Sequence, residues 1–212
     1  THTPNGHWDN GIARGAKVYF QDIGNNSGSI GPPGDLGPSI LAAIGKGSYV
    51  QNHSWGTSNN LYDAWASNLD TALSNNPNFV VTAAAGSRGA GGINTLASPS
   101  TAKNAICVGG NDVANPNNLF IDCGWDGAPN CDVTTDSGSS RGPVFGAGRT
   151  KPDIMAFMWA NSAVGGERMA FSAPTAMCQT DAAKTVYWNY TDVGLSGGTS
   201  FSSAEAAGLA AL

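Results

Sequence analysis

The chain has 212 residues, 41% of them hydrophobic and 12% charged, with a formal net charge of −5. This length can bury one full-sized core, and an acidic balance without any run of Lys or Arg argues against nucleic acid or an anionic membrane surface as partner. No apolar stretch reaches the roughly 20 residues of a membrane span, and a chain low in charge and rich in Asn, Gly, Ser and Thr suits a secreted, extracellular protein.

Residues 1–10 lack periodicity and read as a loop. His2 and His7 have no third ligand nearby, so they read as solvated histidines and not as a metal site. With neither an initiator Met nor a signal peptide, the chain reads as a mature or excised piece. Residues 16–23 are strand-like and lead into a Gly/Pro-rich loop over 24–37. From Pro38 onward, Ile40, Leu41 and Ile44 recur at helical spacing until Gly45 and Gly47 end the helix. Residues 49–53 form a second strand running into Ser54, Trp55 and Gly56. Leu61, Ala64, Trp65, Leu69 and Leu73 then mark the apolar face of a helix ending near Asn76.

Residues 79–85 are an almost unbroken apolar strand of the kind buried on both faces of a parallel sheet, and 105–109 are another. Strand alternating with helix in this order predicts a doubly wound parallel sheet. Ligands of such a sheet sit at the carboxyl ends of the strands, where Ser54-Trp55-Gly56 and Gly86-Ser87-Arg88-Gly89 fall. Residues 111–137 read as polar excursion loops. Cys123 and Cys131 flank a stretch of turn formers that a disulfide can close. Cys107 reads as a buried thiol, and Cys178 has no evident partner except Cys107. A further strand is expected over 153–156, whereas 159–195 resist assignment and 182–190 stay ambiguous between strand and helix. Without repeats or a low-complexity linker, one domain is expected.

The chain closes on Gly197 and Gly198, then Thr199 and Ser200, then an alanine-rich run from Ala204 that reads as a helix. Ser200 therefore falls at a helix N-terminus, where unpaired N–H groups and the positive end of the dipole favour an oxyanion beside a serine nucleophile. The alternative is that Thr199 or Ser200 merely caps the helix. Nucleotide binding fails on spacing. Around Gly45-Lys46 the early glycine of a phosphate loop is Ile40, Gly47 follows the lysine, and no dinucleotide fingerprint follows the first strand.

Seven segments in order carry a family resemblance: Gly11 to Lys17, Asn52 to Gly56, Val80 to Gly86, Ser98 to Ala105, Ser139 to Pro143, Gly148 to Asp153, and Gly198-Thr199-Ser200. Together they resemble the subtilisin-like serine proteases, most nearly secreted bacterial-type subtilases with a β-barrel after the catalytic domain. The resemblance implies a three-layer α/β fold with a mainly parallel sheet, incomplete at both ends, and a chain that is the central and C-terminal part of one catalytic domain. It implies Ser200 as nucleophile, Ser54, Trp55, Gly56, Ala84, Ala85 and Gly86 as the segments flanking a polypeptide substrate, and Ser87 at the oxyanion-hole position usually held by Asn. It allows calcium but places no calcium site.

Several residues depart from the family pattern. The Asp and His motifs are missing, since Asp136-Ser137-Gly138 stands on the wrong segment and His53 suits a structural role. Ser87 replaces the usual Asn, Ala204 and Arg14 each replace a Pro, and Phe157-Met158 stands where Pro-Gly follows Ala156. Two readings result. One is part of a secreted serine endopeptidase whose Asp and His precede Thr1, inactive as this piece alone, with the rest of the parent chain or another chain covering the exposed sheet. The other is a degenerate, catalytically inactive subtilase domain acting as a structural or binding module.

Overall fold

The computed structural model describes residues 12–25, 29–111, 138–163 and 193–212, with 159–163 and 193–197 as backbone alone. Cys123, Cys131, Asp136 and Cys178 lie outside the described residues. Helix α1 spans Gly37–Gly45 and strand β1 Val50–His53; α2 spans Ala64–Asn75 and β2 Val80–Ala84. Then come β3 at Ile106–Asn111, β4 at Ile154–Phe157, β5 at Trp159–Ala163, β6 at Val193–Gly197 and α3 at Thr199–Ala210.

Strands β1 to β4 form one sheet in that order, every pair parallel, with Asn52 opposite Thr82, Thr82 opposite Ile106 and Val108 opposite Ile154. This is the expected α/β architecture. Side chains alternate across the pleat, so β2 sends Val81 to one face and Thr82 to the other. On the first face Val81 joins Leu36, Ile40, Leu69 and Leu73 in an apolar cluster built with α1 and α2. On the second, Thr82 meets α3, whose Ser203 carbonyl accepts its hydroxyl at 3.1 Å. The sheet is thus the middle of three layers.

The helix boundaries follow local chemistry. Pro38 sits in the first turn of α1, and Gly47 takes a φ of +81° just beyond its end. The start of α2 falls at Ala64 and not at Leu61 because Asp63 caps it, its Oδ1 accepting from the Ala66 N–H at 3.1 Å. Cys107 is fully buried with Ala85, Leu96 and Val144, and burial pushes its thiol up to about 12, so it stays protonated.

Two segments differ from the sequence expectation. Residues 16–23 form no strand, and Val18 and Phe20 are 87% and 79% exposed. A strand needs a ladder partner, and among the described residues none pairs with this segment. A groove of about 650 Å³ lies between these residues and β1, whose outer edge is unpaired among the described residues. Gln21 crosses it, its Oε1 accepting from Gln51 Nε2 at 2.6 Å and from Ser39 Oγ at 2.8 Å. The unassigned stretch, in turn, has strands at both ends. β5 and β6 pair antiparallel, with Asn161 opposite Leu195, and β6 delivers the chain directly to α3. Among the described residues no helix is long and apolar enough to cross a membrane.

Candidate active site

Three chain segments converge at the carboxyl end of the sheet: the exit of β1 at Ser54, the exit of β2 at Ala85-Gly86, and the first turn of α3 at Thr199-Ser200. Gly198 makes the turn into α3 at a φ of +127°, a value open to glycine at little steric cost, and its N–H donates to the Met158 carbonyl at 2.9 Å. Gly198 is itself the N-cap, and no side chain caps α3. The capping alternative for Thr199 and Ser200 therefore does not describe the site. Thr199 Oγ1 instead accepts from the Gly86 N–H at 3.1 Å, tying α3 to the end of β2. Gly86 has a φ of +105°, and a Cβ there would stand 2.8 Å from Ser140 Oγ, so backbone and space both require glycine.

Ser200 and Ser54 face each other through two reciprocal bonds. Ser200 Oγ donates to the Ser54 carbonyl at 2.9 Å, and Ser54 Oγ donates to the Ser200 carbonyl at 2.8 Å. Gly56 follows under close confinement, since a Cβ there would lie 2.8 Å from Ala97 Cβ. Ser87 is exposed, with Oγ 3.8 Å from where a Cβ on Gly198 would be, and so borders the same turn. The structure therefore brings Ser54, Gly86, Ser87 and Ser200 around one point. Ala84 and Ala85 are buried in the sheet and lead the backbone to it. Trp55 differs, because its ring stacks on His53 at 5.4 Å, meets Trp65 edge-on at 5.8 Å and packs against the α1/α2 core.

Chemically, the arrangement sets a hydroxyl in the first turn of a helix, where orphan N–H groups and the dipole stabilise developing negative charge. The partner of that hydroxyl here is a backbone carbonyl and not an imidazole or carboxylate. His53 does not fill the role of base. It is 3% exposed, burial lowers its pKa to about 4, and its Nδ1 has no hydrogen-bond partner among the described residues. It lines the groove beside β1. No group of three or more His, Cys, Asp or Glu among the described residues could hold a metal ion.

Sequence reasoning missed Asn52, Thr82 and Ser203. Asn52 Nδ2 donates to Ser54 Oγ at 2.7 Å, and Asn52 Oδ1 accepts from Ser203 Oγ at 2.6 Å and from Thr82 Oγ1 at 3.2 Å. The available signal was Thr82, a polar residue inside the otherwise apolar β2; Asn52 and Ser203 stand among other polar residues of β1 and α3 and carry no such mark.

The sequence matches the Subtilase family over residues 1–212. No curated protein matches it in sequence. Among solved structures it is similar to a lanthipeptide protease at 17% identity and a TM-score of 0.56, covering 90% of this chain and 53% of that one. It is similar to the prenylagaramide maturation protease PagA at 19% identity and a TM-score of 0.52, covering 86% of this chain and 50% of that one. A psychrophilic protease gives 22% identity and a TM-score of 0.51, covering 86% and 50% respectively. At such identities these likenesses speak to the fold, and the chain spans about half the length of each of these proteins.

Proposed function

The chain belongs to the subtilase family, and on that premise we propose that it is the central and C-terminal part of the catalytic domain of a secreted serine endopeptidase with Ser200 as nucleophile. The observation that carries this reading is the meeting of Ser200 with Ser54 at the N-terminus of α3, between the ends of two parallel strands. In the proposed reaction a histidine of the parent protein, held by an aspartate, takes the proton from Ser200 Oγ as Oγ bonds to the peptide carbonyl carbon. The oxyanion forms beside Ser87 and the first-turn N–H groups of α3, the proton passes to the leaving amine, and water then hydrolyses the acyl-enzyme. The backbone at Ser54-Trp55-Gly56 and at Ala84-Ala85-Gly86 flanks the bound polypeptide.

The exposed edge is part of the same reading. The side of β1 and the His53 Nδ1 that have no partner among the described residues, with the groove next to them, suit a further polypeptide segment, from the parent chain or another chain, laid along β1. A stable, soluble monomer of residues 1–212 alone overturns that part. A second reading, a degenerate domain that binds without cleaving, is favoured by the serine at position 87 and by the engagement of the Ser200 hydroxyl with a carbonyl.

Treating the intact parent with a serine-directed fluorophosphonate separates the two. Labelling at Ser200, abolished by Ser200→Ala, is expected, with turnover falling roughly 10⁶-fold as it does in subtilisin. Ser87→Asn is expected to raise turnover by restoring an oxyanion donor, whose loss in subtilisin costs about 2.7–4 kcal/mol. A parent that carries both Asp and His yet neither labels nor cleaves an unfolded protein overturns the enzyme reading in favour of the binding module.

A further inference from the structure

We infer that Asn52 is a positioning residue for Ser200, acting through a one-way relay of hydrogen bonds that runs from the buried face of α3 across β1 to the first turn of α3. The inference rests on the reading of Ser200 as nucleophile.

The direction of the relay follows from which atoms can donate. Ser203 and Thr82 are fully buried, so their hydroxyl protons need acceptors within the protein. Ser203 Oγ donates to Asn52 Oδ1 at 2.6 Å, and Thr82 Oγ1 reaches the same oxygen at 3.2 Å as well as the Ser203 carbonyl at 3.1 Å. The Ser203 proton, with the single Thr82 proton divided between Asn52 Oδ1 and the Ser203 carbonyl, thereby selects which end of the Asn52 amide faces inward. The outward end is Nδ2, which can only donate, and Ser54 Oγ accepts from it at 2.7 Å. With that lone pair engaged, the Ser54 proton is directed to the Ser200 carbonyl at 2.8 Å, and the Ser54 carbonyl remains to accept from Ser200 Oγ at 2.9 Å.

Each bond sets the direction of the next, and the chain ends on the hydroxyl that the proposed chemistry uses. Asn52 itself stands on the exposed edge of β1, where no packing need demands an amide. Its two polar ends account for its place. Asp at this position keeps the shape and the inward acceptor but removes the outward donor. The carboxylate then attracts the Ser54 proton and releases the Ser200 carbonyl.

The test is the second-order rate of fluorophosphonate labelling at Ser200 in the full-length protein, together with kcat and KM on an unfolded protein substrate. Asn52→Asp is expected to slow labelling by about ten- to a hundredfold, with kcat falling and KM nearly unchanged, because misplacement of a reacting group by about 1 Å costs on that scale. Ser203→Ala, which loosens the amide without adding charge, is expected to slow labelling by a few-fold. It keeps the test open if Asn52→Asp does not fold. Leu69→Ala, on the opposite face of the sheet, is expected to leave the rate unchanged in the folded protein while lowering the melting temperature.

An unchanged rate in folded Asn52→Asp, or an equal slowing in Leu69→Ala, overturns the inference. If the unsubstituted protein does not label, the nucleophile reading falls, and amide hydrogen exchange at Phe201, Ser202 and Ser203 decides the relay separately. Faster exchange there in Asn52→Asp supports it, and unchanged exchange overturns it.

Discussion

Toward α1 and α2 the sheet presents Val81 to Leu36, Ile40, Ala66, Leu69 and Leu73, all buried and none with a polar side-chain atom. Toward α3 it presents Thr82 and Asn52 to Ser203, while Ser202 Oγ of the same helix donates to the Phe157 carbonyl at 3.0 Å. Apolar burial is roughly proportional to area and indifferent to direction, so the first contact supplies stability but holds its helices only as closely as shape demands. Hydrogen bonds weaken steeply when bent or stretched, so the second contact adds little net stability yet fixes where α3 begins. The helix that carries Ser200 is held against the sheet by directional bonds, whereas those of α2, such as Asp70 accepting from the Lys103 and Asn104 N–H groups, go to a loop. Precision and stability are thus assigned to opposite faces of one sheet.

Breaking the apolar face gives the largest expected effect on stability. Leu69→Ala removes a fully buried side chain and is expected to cost about 2–5 kcal/mol in urea unfolding. An equal loss of fluorophosphonate reactivity in the folded variant would break the division between faces.

His53 gives an effect of intermediate size, confined to a pH window. Its folded pKa of about 4 lies below the ordinary 6.5 because burial disfavours the imidazolium. The unfolded chain therefore binds the proton more readily between those values, and stability present above pH 6.5 is lost as pH falls toward 4. The full loss is on the order of 3 kcal/mol. His53→Met, apolar and flexible enough to fill the site, is expected to flatten this part of the stability profile. A profile just as steep in the variant would assign the acid sensitivity to other groups.

The smallest effect belongs to the polar face. Ser202→Ala deletes one buried hydroxyl and is expected to cost about 1 kcal/mol, measured as a shift in the urea midpoint at unchanged slope. A loss as large as that of Leu69→Ala would show that α3 is also a main source of stability.

Much of this arrangement was legible before any coordinates. The apolar run at 79–85 and the spacing of Leu69 and Leu73 announced a buried parallel strand and the helix packed on it, because periodicity and burial are local properties of sequence. The glycines at 197 and 198 announced the turn into α3 for the same reason. Residues 16–23 show the limit of that logic. Their composition is that of a strand, but a strand exists only where another offers its edge, and here a groove intervenes. The pairing of β5 with β6 was hidden for the complementary reason, since its partners lie about thirty residues apart and nothing local to either names the other.

The sequence by itself determined the three helices, strands β1 to β4, their order and the family, since each rests on residue types at short spacing or on ordered segments along the chain. Only the tertiary structure decided that Ser54 and Ser200, 146 residues apart, close on each other, that Trp55 turns into the core, and that Asn52 joins Ser203 to Ser54. Those outcomes depend on which atoms arrive within about 3 Å of one another, a distance set by the parallel register of β1 on β2 and the seat of α3 across them.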